Sequence, residues 1–71
     1  MYAKDVYLEV KGSVPQWMKE KFKKALYESA GGEYGNVQSY QMKTLVQKLS
    51  NIQGVNWAQA EQLARLVQAK I

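Results

Sequence analysis

The chain has 71 residues and a formal net charge of +4, with ten Lys and Arg against six Asp and Glu. A chain of this length forms one domain, and a hydrophobic content of 46% is typical of a folded protein. Cysteine and histidine are both absent, which excludes disulfides and the usual zinc ligands and removes the side chains most often used for catalysis at neutral pH. We therefore expect a single domain, residues 1–71, that is not an enzyme.

The acidic residues and the glycines give no sign of a ligand site. The six carboxylates are scattered and match no calcium-binding loop, and the glycines at 31, 32 and 35 match no phosphate-binding loop. We expect no metal, no cofactor and no small-molecule substrate. The N-terminus is charged from Lys4 onward, and no apolar run approaches the roughly 20 residues that cross a bilayer. The sequence thus predicts a cytoplasmic protein without membrane contact.

Residues 4–11 alternate between apolar and polar side chains. Val6, Leu8 and Val10 share one face if successive residues point to opposite sides, and this period of two is typical of a half-buried strand. A lone strand needs a partner for its backbone hydrogen bonds. We expect it to pair with the loop around 33–37 or with its own copy across a two-fold axis, and we favour the homodimer.

The rest of the chain has helical periodicity. Ser13 and Gln16 have the spacing of a capping box before a helix over about 14–30, which the pair Gly31-Gly32 ends. Asn36 or Ser39 is the expected cap of a helix over about 38–52. A third helix over about 57–70 follows Gly54. The apolar stripes of the three helices are Met18, Phe22, Ala25, Leu26 and Ser29; Met42, Leu45, Val46, Leu49 and Ile52; and Ala60, Leu63, Ala64, Val67 and Ile71. The predicted fold is mainly α, with one N-terminal β-strand followed by a three-helix bundle (β-α-α-α).

Residues 49–67 carry a glycine-containing turn between two apolar helices. The apolar, glycine and alanine positions of this stretch are Leu49, Ile52, Gly54, Val55, Ala60, Leu63 and Ala64. The stretch resembles the helix-hairpin-helix motif, although Asn56 stands where that family has its second glycine. The resemblance implies that hairpin backbone amides contact one nucleic-acid phosphate without reading bases, with Gly54, Val55 and Asn56 as the candidate contacts. The Gln59 side chain can hydrogen-bond a base or a phosphate.

Two other interpretations of this stretch remain open. A helix-turn-helix also has a glycine turn before an apolar helix, but it prefers an apolar residue directly before the glycine, where this chain has Gln53. The hairpin prefers it two positions before, where this chain has Ile52. Two packed helices joined by a glycine turn are also common in small helical domains without any binding role.

The basic residues are spread along the chain and are densest at Lys19, Lys21, Lys23 and Lys24. Lys19 and Lys23 lie one helical turn apart and can clamp a phosphate backbone, and Lys48 adds a charge before the hairpin. A solvated helix face explains the same lysines. We expect a small non-catalytic protein, regulatory or accessory, that binds nucleic acid, with DNA favoured.

The aromatic residues support an alternative class. Trp17, Tyr27 and Tyr40 lie off the apolar stripes, and exposed Trp and Tyr are enriched in protein interfaces. The alternative is therefore a protein-interaction module, a small regulator or a homodimer, that docks through strand 4–11 and these three side chains. Trp57 beside the turn covers the core or offers a ring on which a base can stack.

Overall fold

A computed structural model describes all 71 residues and contains four α-helices and no β-strand. The helices are α1 (Ala3–Val10), α2 (Lys19–Ala30), α3 (Met42–Ser50) and α4 (Trp57–Gln68). Short 3-10 turns at Lys11–Ser13, Gln16–Met18 and Ser39–Gln41 lead into or out of them. The mainly α prediction holds, whereas the N-terminal strand and the β-α-α-α order are wrong. No helix combines the length and the apolar character needed to span a membrane.

The N-terminal segment is a helix because its buried residues follow the helical period. Val6 and Val10 are buried and lie four residues apart, a spacing that fits both a strand face and a helix face. Leu8 would complete the strand face, but it is 52% exposed. Ala3 is instead fully buried and the Tyr7 ring packs on the core, which completes an i, i+3, i+4, i+7 stripe. The strand edge that would have supported a homodimer through residues 4–11 is therefore absent.

The loop at 33–37 still lies against the N-terminus, but it closes the start of α1. The Ala3 and Lys4 amides donate to the carbonyls of Gly35 and Glu33, each at 2.9 Å. These amides belong to the first turn of α1, where no acceptor exists within the helix. The loop thus satisfies donors that would otherwise be unpaired.

The helix boundaries follow from local chemistry. α2 begins at Lys19, later than the predicted 14, and no side chain of Ser13 or Gln16 caps it. Gly31 adopts φ 88°, which ends α2. The 3-10 turn before α3 is closed by the Gln41 Oε1 atom, which accepts from the Gln38 amide at 3.0 Å, so neither Asn36 nor Ser39 is the cap.

The core lies between α2, α3 and α4, with α1 packed across α2 and α4. All 17 buried residues are apolar and form one cluster. Its largest fully buried side chains are Phe22, Met18, Leu26, Leu45 and Leu49. Most of the expected stripes face this core, but Ile71 is 39% exposed beyond the end of α4. This arrangement places the segment between α3 and α4 at one end of the bundle.

Candidate nucleic-acid interface

The α3–α4 turn, residues 51–56, is anchored by apolar side chains and exposes its tip. Val55 is buried and Ile52 packs partly against the core, while Gln53 and Gly54 between them are exposed. Gly54 has φ 91°, a left-handed conformation that side chains other than glycine rarely adopt. The turn contains no acidic residue. An anion can therefore approach its tip without meeting a carboxylate of the turn itself.

Some amides of the turn are already used within the protein. The Val55 amide donates to the Ile52 carbonyl at 3.0 Å, and the Gln59 amide donates to the Asn56 Oδ1 atom at 2.8 Å. Asn56 is in extended backbone (φ −92°, ψ 171°), so its position requires no glycine, and its side chain caps α4. Among the residues predicted to contact phosphate, Gly54 and Asn56 have backbone N–H groups that donate to no acceptor within the protein.

A groove beside this turn is lined by lysines from two helices. Lys21 and Lys24 of α2 form one wall and Lys48 of α3 forms the other, in an open cleft of about 490 Å³. We call this the lysine groove. Its remaining lining residues are Ala25, Glu28, Asn51, Ile52 and Gln53. Because Asn51 through Gln53 belong to the α3–α4 turn, the groove runs directly into it.

The charges of the lysine groove are only partly compensated. Glu28 is its one acidic residue and lies 3.7 Å from the Lys48 ammonium, an ion pair exposed to solvent. Lys21 and Lys24 are exposed and form no ion pair. Three lysines against one glutamate leave the groove with a formal charge of +2. An exposed ion pair is worth little, so a phosphate can compete with Glu28 for Lys48.

The structure separates Lys19 and Lys23 from the lysine groove. The Lys19 ammonium donates to the Val14 carbonyl just before α2. Lys23 lies 3.4 Å from Glu20 and 5.8 Å from the centre of the Tyr7 ring of α1. Neither lysine lines the lysine groove, so the phosphate candidates there are Lys21 and Lys24 of α2 together with Lys48. A helical wheel distinguishes the two faces, but it does not show which face α1 covers.

The remaining sequence-predicted residues lie in different places. The Gln59 side chain lines another groove, between α4 and Ser13 and Pro15. Tyr27 is half-buried, and burial raises its pKa above the ordinary value. Trp17 lies just before α2 and Tyr27 lies in the last turn of α2, so these two do not form one patch. Tyr40 is 80% exposed before α3.

Comparison with known proteins adds no assignment. No protein-family model, curated protein or solved structure matches this chain.

Proposed function

We propose that this chain is a small non-catalytic protein that binds the phosphate backbone of nucleic acid along the lysine groove and the α3–α4 turn. The observation that carries the proposal is the groove itself, which gathers Lys21, Lys24 and Lys48 from two helices beside an exposed, acid-free turn. Neutralising phosphates with lysines releases counterions, and this release supplies most sequence-independent affinity. DNA is the first partner to test.

The turn adds hydrogen-bond donors to the charges of the groove. The Asn51 and Gln53 side chains line the groove where it reaches the turn, and their amides can donate to phosphate oxygens. The exposed Gly54 places backbone close to any ligand there. Because the lysines contact phosphates, which carry no sequence information, we expect binding without strong sequence preference.

The test measures how DNA affinity depends on salt. A duplex and a single strand of the same sequence are titrated between low and moderate salt, with the unchanged protein and with Lys21→Gln/Lys24→Gln. If both lysines contact phosphates, the double variant lowers the magnitude of the log–log salt slope by about 1.4 to 1.8, from about 0.7 per contact on single strands and 0.9 on duplex.

The matched control is Lys43→Gln/Lys70→Gln, which removes the same charge from exposed positions outside the groove. It should leave most of the slope in place. Equal effects of the two pairs would show that only net charge matters and that the groove is not the site. Absence of binding to either form of DNA at low salt would overturn the proposed function and favour the alternative, a protein-interaction module, whose apolar contacts respond little to salt.

A further inference from the structure

Both tryptophans of the chain lie at the α3–α4 turn. The Trp17 ring rests against Gly54, since a Cβ atom at Gly54 would lie 3.3 Å from its Cη2 atom and 3.5 Å from its Cζ3 atom. Trp57 is the first residue of α4 and follows the turn directly. The two side chains are 59% and 53% exposed. The turn thus carries two large aromatic surfaces that the core does not use.

The Trp17 ring contacts the turn residue that follows the lysine groove. Gln53 lines the groove, and its neighbour Gly54 contacts the Trp17 ring. A chain lying in the groove therefore reaches the Trp17 ring by passing one residue of the turn, and Trp57 follows Gly54 by three residues. Other exposed aromatics lack this relation, because Tyr2 and Tyr34 pack edge to face on each other, 5.9 Å between ring centres, away from the groove.

We propose that this surface binds single-stranded nucleic acid, with phosphates along the lysine groove and bases stacked on Trp17 and Trp57. The inference rests on the proposed function and narrows its ligand. An unpaired strand presents the faces of its bases, and a groove of positive charge beside aromatic rings is the usual means of holding it. A duplex buries the same faces between stacked base pairs, so it can use the lysines but not the rings.

The two tryptophan rings also provide a fluorescence signal for binding at this surface. Because Trp17 and Trp57 are the two tryptophans of the chain, all tryptophan fluorescence arises from the ring against Gly54 and from the start of α4. Stacking of a base on either ring should quench that fluorescence. The titration uses a thymine homo-oligonucleotide, a uracil homo-oligoribonucleotide and a DNA hairpin duplex. We expect quenching by the single strands, at an affinity that exceeds the duplex affinity, and little quenching by the duplex.

Substitutions separate stacking from charge. Base–aromatic stacking is worth enough that Trp57→Ala should weaken single-strand binding about tenfold, with Trp57→Phe retaining most of the affinity. Neither change should alter duplex binding, which a labelled duplex measures without relying on tryptophan. Trp57 is exposed and Ala is a good helix former, so the variant should keep its fold, which circular dichroism checks. Tyr40→Ala is the control, because it removes a more exposed aromatic ring outside the groove.

The possible outcomes are distinct. Preference for single strands, reduced by Trp57→Ala or Trp17→Ala and not by Tyr40→Ala, supports the inference, and the DNA and RNA arms then show which strand is preferred. Equal binding of duplex and single strand, unaffected by either tryptophan variant, overturns the inference and leaves the phosphate-binding function intact. If neither the duplex nor the single strands bind at low salt, the proposed function itself is overturned.

Discussion

The left-handed conformation of Gly54 and its contact with Trp17 predict how much a side chain at this position destabilises the protein. Gly31 and Gly54 have nearly the same backbone angle, φ 88° and 91°, so replacing either by Ala forces a side chain into the left-handed region at about 1–2 kcal/mol. Only at Gly54 does the added Cβ meet another group, the Trp17 ring at 3.3 Å, whereas nothing lies within 4 Å at Gly31. Gly54→Ala should therefore destabilise the protein more than Gly31→Ala.

The difference in stability between the two variants depends on how far the Trp17 ring has to move. A Cβ contact of 3.3 Å is tighter than usual, and moving a side chain away from its preferred rotamer costs about 0.5–1.5 kcal/mol. A domain of this size loses about 4–8 °C of Tm per kcal/mol, so Gly54→Ala should melt about 2–12 °C below Gly31→Ala. Thermal and urea denaturation followed by circular dichroism measure both values. Gly12→Ala is the third member of the set, since Gly12 has open space and an ordinary φ, and it should melt no lower than the parent protein.

A double-mutant cycle identifies the cause of the difference. In a Trp17→Ala background the ring is gone, and the two Gly→Ala changes should then cost the same within error. If the difference survives without the ring, its cause lies elsewhere in the turn. If Gly54→Ala and Gly31→Ala cost the same when Trp17 is present, the ring does not rest on the turn, and the aromatic half of the proposed surface loses its basis.

Three further outcomes are expected. Asn56→Ala removes the cap that accepts from the Gln59 amide and should lower the free energy of unfolding by about 1 kcal/mol in urea, whereas Asn56→Asp should retain most of it; equal losses would show that the cap is not formed. Leu8→Lys should leave Tm nearly unchanged because Leu8 faces solvent on α1, whereas Val6→Ala should lower it clearly. A strand would bury Leu8 on the same face as Val6, so a clear loss of Tm in both variants would contradict the helix. Burial raises the pKa of Tyr27, so on raising the pH the unfolded chain loses the phenol proton before the folded chain does. The contribution of Tyr27 to the free energy of unfolding is therefore complete below about pH 10 and declines at higher pH. Tyr27→Phe should flatten that decline in urea titrations, and an unchanged pH dependence would contradict the pKa shift.

The first ten residues show where sequence reasoning reaches its limit. A pair of apolar residues four apart is compatible with periods of 2 and of 3.6, so Val6 and Val10 cannot decide between strand and helix. Burial of Leu8 would indicate a strand, whereas burial of Ala3 and Tyr7 indicates a helix. In so short a segment, one exposed Leu is enough to make the sequence pattern resemble a strand. The 12-residue helices α2 and α4 present more turns of their stripes, which is why their core residues, such as Phe22 and Leu63, are evident from the sequence.

The wrong prediction for α1 also explains why the lysines chosen from the sequence differ from those that line the groove. Spacing alone shows that Lys19 and Lys23 share one face of α2 and that Lys21 and Lys24 lie on another. Which face is free depends on where the other helices pack, and Tyr7 of α1 lies beneath Lys23. With a strand expected at residues 4–11, no helix was expected to cover that face. Lys48 remains a candidate because it lies close to the hairpin in sequence and also lines the groove.

The turn residue with the strongest structural constraint is also the one that joins the two halves of the proposed surface. Gly54 lets the Trp17 ring approach the backbone and stands next to Gln53 of the lysine groove. A residue needed only for folding would, when replaced, lower stability and leave the affinity of the folded fraction unchanged. Gly54→Ala should instead displace the ring and reduce single-strand affinity at temperatures where the variant is fully folded, and this loss should exceed the loss of duplex affinity, which depends mainly on the lysines. Gly31→Ala provides the comparison, because it imposes the same backbone cost at the opposite end of α2 and should change neither affinity.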